Sequence, residues 1–252
     1  MEHVIRNLLR RWLKDFLKKK ELKLLLVLGL ETSTAAASVA LVKEDRLLAE
    51  IFFNTQRYHS RQTLSLISLL LKQAGVEFRE LEGIAVALGP GSFTGLRVGV
   101  AIAKALAHAS GKPLAGVPTL DGLALNAAGV AGLICPVVVA RREEVYTALY
   151  RWQEGRLCRL TPYQAVTPVS WVGYLASYNE PVYFLGDGVQ PFKEFWISLR
   201  ERALFLPPES SFPRAGHIAR LGEERLRQGE RDDLFQLKPL YLRPPAAVFK
   251  GL

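Results

Sequence analysis

The chain has 252 residues, of which 33 are Lys or Arg and 24 are Asp or Glu, giving a formal charge of +9. With 49% hydrophobic and 23% charged residues it has the composition of an ordinary globular protein and can bury a substantial core, which excludes intrinsic disorder for most of its length. Its longest apolar run, Leu24 to Leu30, stops at Glu31, well short of the roughly 18 residues needed to cross a bilayer, so stable membrane insertion is not expected.

The charge is concentrated at the N-terminus. Met1 to Lys23 holds eight basic and three acidic residues, a segment charge of +5 that leaves +4 for everything after it. Within it Val4, Ile5, Leu8, Leu9, Trp12, Leu13, Phe16 and Leu17 recur at three- and four-residue steps with Arg and Lys between them. This spacing predicts a basic amphipathic helix, an extension over residues 1–23 that docks on its own domain or on a partner in preference to a membrane surface.

From Leu24 the pattern becomes strand-like. Leu24 to Leu30, Ala36 to Val42 and Leu47 to Phe53 read as three antiparallel strands, the first two joined by the polar turn Glu31-Thr32-Ser33-Thr34. A helix from Ser60 to Ala74 follows, capped by Ser60 and stopped by Gly75. Its Leu64, Leu66, Ile67, Leu69, Leu70 and Leu71 cover more than one face, so a second covered surface is expected beyond the sheet. Then come a strand (Gly83 to Leu88), a glycine-rich turn, a helix (Thr94 to Ser110) and a strand (Leu114 to Val117), together predicting a mixed α/β sheet. Beyond a soft boundary near Gly129 to Gly132, Pro136 to Ala140 and Val145 to Trp152 read as a hairpin through Arg141-Arg142-Glu143-Glu144. Pro181 to Leu185 is a further strand, Pro213 to Gly229 a helix and Leu237 to Pro245 an extended tail. The expected division is therefore residues 24–128 and 129–252.

The turn Gly89-Pro90-Gly91-Ser92-Phe93-Thr94-Gly95 joins a strand to a helix, where backbone amides and the helix dipole favour an anion. It matches neither the dinucleotide fingerprint nor the P-loop, which requires a Lys. A tight turn capped by Ser92 or Thr94 accounts for it equally well, so Glu31, Thr32, Ser33, Gly89, Gly91 and Ser92 are weak phosphate-loop candidates. The helix after it repeats small residues at Gly95, Gly99, Ala103 and Ala107, a stripe suited to close packing, internal or with a second protein. Together with Leu66 and Leu70 these are the candidate partner-interface residues. His3, His59, His108 and His217 are not spaced as metal ligands, and Cys135 and Cys158 have no neighbours that activate a thiolate. No catalytic, metal or cofactor site is expected, and two cysteines without metal spacing fit a reducing cytoplasm.

The ordered runs VLGLETSTAAASVALV, YHSRQTLSLISLLL, IAVALGPGSFTGLRVGVAIAKALA, PLAGVPTLDGLAL, ARREEVYTALY and PLYLRPP resemble the TsaB (YeaZ) family over residues 24–245. The resemblance implies an actin-like fold of two related subdomains and a role in making threonylcarbamoyladenosine beside the tRNA anticodon. It also implies partners: the catalytic paralogue TsaD, the ATPase TsaE, tRNA through the complex, and self-association when the chain is alone. The TsaD pattern has a His pair where this chain has Thr119 and Leu123, and acidic residues where it has Ala35 and Ala36. Val139 also stands where many family members have Asp. These departures imply a non-catalytic scaffold. A nucleotide-binding enzyme of the actin-like class is the alternative, and a zinc peptidase would need ligands the sequence does not assemble.

Overall fold

In the computed structural model, which describes residues 25–54, 62–141 and 143–243, the run LVLGLE forms β1 (Leu26–Glu31), buried at every residue. An apolar run without alternation is what a strand covered on both faces requires. β2 (Ala37–Lys43) returns antiparallel beside it, Leu28 opposite Leu41 and Glu31 opposite Ser38, and β3 (Arg46–Phe53) follows through Glu44 and Asp45, both at positive φ. The first helix is α1 (Thr63–Ala74), ended by Gly75 in the left-handed conformation (φ 64°). Its expected cap Ser60, the amphipathic segment 1–23 and Arg142 lie outside the described residues.

β4 (Gly83–Gly89), α2 (Phe93–Ser110) and β5 (Leu114–Pro118) complete a five-stranded mixed sheet in the order β3-β2-β1-β4-β5, with β4 parallel to both neighbours. α1 and α2 cover one face of it, where Leu66, Leu70, Val100, Ala103 and Ala107 pack with Leu28, Leu30, Val39, Leu41, Ile84 and Val86. Full burial of each of the larger side chains contributes about 1.5–3 kcal/mol.

α3 (Thr119–Ala124) leads into the second sheet. Its spine is β6 (Leu133–Val139), which carries two antiparallel partners in succession. β7 (Val145–Thr147) pairs with Val137 to Val139, and β8 (Tyr150–Gln153) with Leu133 and Ile134. The single strand expected over Val145 to Trp152 is thus interrupted at Ala148 and Leu149, where the Leu149 N–H donates to Thr161 Oγ1 (2.9 Å) instead of a ladder partner. β9 (Arg156–Arg159), β10 (Gln164–Val166), α4 (Pro168–Leu175), β11 (Val182–Leu185), the short α5 (Lys193–Trp196) and β12 (Ala203–Phe205) complete this lobe. Its core holds Trp171, Phe184 and Trp196, the last two stacked at 5.1 Å.

The last helix, α6 (Ala215–Arg227), does not belong with the second lobe, as a division at residue 129 would place it. Ile218 and Ala219 pack on Val27, Ala85, Ala87 and Val117, the open face of the first sheet. The lobes are also tied at Asp121 of α3, whose carboxylate accepts from Tyr150 Oη (2.7 Å) and Tyr163 Oη (2.8 Å).

Candidate functional site

The polar turn after β1 is an interior structure. Glu31, Thr32 and Ser33 are all buried, and Thr32 and Ser33 pack directly on the glycine-rich turn. Ser92 N donates to Ser33 O (2.6 Å), and Thr32 Oγ1 to Gly95 O (2.9 Å). A Cβ at Gly91 would collide with the Ser33 carbonyl, one at Gly95 with the Thr32 carbonyl, and one at Gly99 with Thr32 Oγ1. The glycines therefore admit the Thr32-Ser33 segment, and the two weak phosphate loops fill the space between them with each other. Ser92 caps α2 as predicted, accepting from Gly95 N (3.3 Å), and the Gly89-Pro90 peptide is cis.

Glu31 opens the buried turn. Its Oε1 accepts from Ser33 N (2.5 Å), whereas its Oε2 and the Ser33 hydroxyl are buried without a partner. Burial pushes the carboxyl up to about 7, only partly opposed by the neighbouring Ser33.

On the other side of the glycine-rich turn lies a cleft of about 370 Å³ between the lobes, reached by Pro90 to Thr94 from the first and by Val139 to Arg141 and Tyr146 from the second. The C-terminal tail straps across it. Leu240 N donates to Leu88 O (2.7 Å), and Tyr241 Oη accepts from Arg97 Nε (3.1 Å). Arg243 pairs with Glu144 on the second lobe, its Nη2 2.5 Å from Oε1 and its Nε 3.1 Å from Oε2.

The small-residue stripe is turned inward, a correction to its assignment as partner surface. Gly99, Ala103 and Ala107 are buried and Gly95 is half-buried against Thr32, while Leu66 (5% exposed) and Leu70 (1%) are core residues. The outward faces carry other residues: Leu64 (53% exposed) and Leu69 (44%) on α1, and Thr94, Ala101, Ala105 and Ala109 on α2. The surplus apolar surface on the first helix is therefore real, but it is built from Leu64 and Leu69.

The positions of the TsaD His pair are structural here. Thr119 is buried with Oγ1 accepting from Gly89 N (3.1 Å), and Leu123 is fully buried against α3 and β6 neighbours. Neither side chain is available to a metal. Val139 is 42% exposed and lines the cleft.

A second polar cluster was not legible in the sequence. Glu50 of β3 accepts from Arg214 Nη2 (2.7 Å), Ser38 Oγ (2.8 Å) and Gly216 N (3.2 Å) at the start of α6. Burial alone would raise this carboxyl, but the bonds from Arg214 and Ser38 outweigh it and hold it below its ordinary value. The neighbouring His217 is pushed down to about 4 by burial, opposed by Glu50 and reinforced by Arg214 and Arg220. β2 and β3 are hairpin neighbours, but Arg214 and α6 follow more than 160 residues later, and no local spacing links them to the hairpin.

A TsaB protein of Bacillus subtilis, named for tRNA threonylcarbamoyladenosine biosynthesis, is 34% identical over 227 residues, covering 90% of this chain and 97% of its own length. The chain belongs to the TsaB (YeaZ) family. TsaB of Escherichia coli is 28% identical over 224 residues (86% of this chain, 94% of that one). YeaZ of Pseudomonas aeruginosa superimposes with a TM-score of 0.73 at 28% identity, covering 86% of this chain and 100% of that one. The family model described as TsaD, tRNA N6-adenosine threonylcarbamoyltransferase, matches residues 46–250. TsaB proteins are named for tRNA threonylcarbamoyladenosine biosynthesis, and the present TsaB-family chain has the expected two lobes, each built on a mixed sheet.

Proposed function

We propose that the chain is a non-catalytic scaffold subunit that binds the paralogue TsaD and holds it in its active form for threonylcarbamoyl transfer to tRNA, with TsaE as a further partner. The observation that carries this reading is the use of Thr119 and Leu123 as buried structural groups where TsaD has its His pair. The packing of Thr32 and Ser33 into Gly91, Gly95 and Gly99 supports it, because it occupies the gap between the two loops that a phosphate would need.

The partner surface is the outward face of α1 and α2. Leu64 and Leu69 supply apolar anchors, and Ala101 and Ala105 let a facing helix approach closely. The same face mediates self-association in the absence of TsaD. Capture on immobilised TsaD tests this. Leu64→Glu with Leu69→Glu should abolish retention while leaving the thermal midpoint within a few degrees, because both side chains already face solvent. Unchanged retention would refute the assignment.

A further inference from the structure

We infer that the cleft between the lobes is a contact site for single-stranded RNA, taking a backbone phosphate at the start of α2 beside Arg141 and a base against Tyr146 and the Phe93–Tyr241 pair. The inference deepens the proposed function and rests on it for the choice of RNA among polyanions.

Four observations converge on the cleft. First, its walls carry two guanidinium groups, Arg141 and Arg243, and among its described lining residues there is no carboxylate. Arg243 is engaged by Glu144, but Arg141 is exposed and holds no ion pair among the described residues. Second, the first turn of the 18-residue helix α2 lines the same space. Ser92 N is committed to Ser33 and Gly95 N to Ser92 Oγ, so the amides of Phe93 and Thr94 are the ones left without an intrahelical acceptor.

Third, the rim alternates aromatic and cationic groups. Phe93, Arg97 and Tyr241 touch one another, with the Arg97 guanidinium 3.8 Å from the Phe93 ring centroid and the Tyr241 ring 5.4 Å from it, and Tyr146 enters from the second lobe. Stacking surfaces interleaved with Arg are the means by which proteins hold unpaired bases. Fourth, a volume of about 370 Å³ accommodates one nucleotide. Proteins usually meet the cation of a magnesium-bound nucleoside triphosphate with one or two carboxylates, and the described lining supplies none.

The test uses the full-length chain and a fluorescein-labelled single-stranded oligouridylate, read by fluorescence anisotropy across a salt series. Arg141→Glu should weaken binding roughly tenfold and lower the salt slope by about one ion. Tyr146→Ala should weaken it roughly five- to tenfold. Arg231→Glu makes the same charge change at an exposed residue outside the cleft, and it should leave the affinity close to that of the parent. Excess ATP with magnesium should not displace the RNA.

Equal losses for Arg141→Glu and Arg231→Glu, or no loss for either, would overturn the inference, as would displacement by magnesium-ATP. The same preparations are passed over immobilised TsaD. Failure of the parent chain to be retained there counts against the scaffold role, whereas the cleft is judged on the anisotropy alone.

Discussion

Replacing Glu31 by Gln is the sharpest probe of the buried contact beside the glycine-rich turn. In the folded chain the carboxyl keeps its proton up to about pH 7, whereas in the unfolded chain it ionises above its ordinary 4.5. Between those values the unfolded state releases a proton that the folded state retains, so stability falls as pH rises from about 4.5 to 7 and levels off above. The difference of roughly 2.5 pH units corresponds to about 3 kcal/mol, an order-of-magnitude figure at 1.36 kcal/mol per unit. Gln removes the charge, keeps the oxygen that accepts from Ser33 N, and places an amide N–H where Glu31 Oε2 and Ser33 Oγ now lack partners. Differential scanning calorimetry at pH 5 and pH 8 should therefore show near-equal midpoints at pH 5. At pH 8 the variant should be higher by roughly 6–12 °C, since each kcal/mol moves a domain of this size by about 2–4 °C. A variant that is no more stable than the parent at pH 8, relative to pH 5, would refute the reasoning.

Two further predictions follow from the packing and the second polar cluster. Gly99→Val should cost about 1–3 kcal/mol in urea unfolding, because its Cβ meets Thr32 inside the lobe, whereas Ala105→Trp on the outward face should leave unfolding unchanged and abolish retention on TsaD. For His217 the sign is opposite to that of Glu31. The unfolded imidazole takes a proton below about 6.5 and the folded one only below about 4, so its stabilisation is complete above 6.5 and is lost as pH falls through that window. In a Glu31→Gln background, His217→Gln should flatten the acid side of the stability profile by about 1–3 kcal/mol, read as urea midpoints between pH 4 and pH 7; an unchanged slope would refute it.

Much of the first lobe was legible because its signals are long and local. The uninterrupted apolar strands, Ser92 as a cap and Gly75 as a left-handed stop all act within a few residues of themselves. The second lobe was less so: β7, β9, β10 and β12 are three or four residues long, too short for an alternation to repeat. The partner face shows a different limit. A four-residue repeat of Gly95, Gly99, Ala103 and Ala107 establishes that these residues share a face but not whether it points in or out. What decided it was Thr32, more than 60 residues earlier, inserted against the stripe. The cleft depends on distant pairs as well: Arg97 with Tyr241, and Glu144 with Arg243.

The position of α6 has a consequence for synthesis of the chain. The strands of the first sheet are complete once Pro118 has been made, yet the helix that covers Val27, Ala85, Ala87 and Val117 ends at Arg227. While the second lobe is being translated, this apolar face has no cover from its own helix, and the first lobe cannot finish folding on the ribosome ahead of the second. A stop codon anywhere before Ala215 would therefore remove one layer of the N-terminal lobe as well as a C-terminal segment.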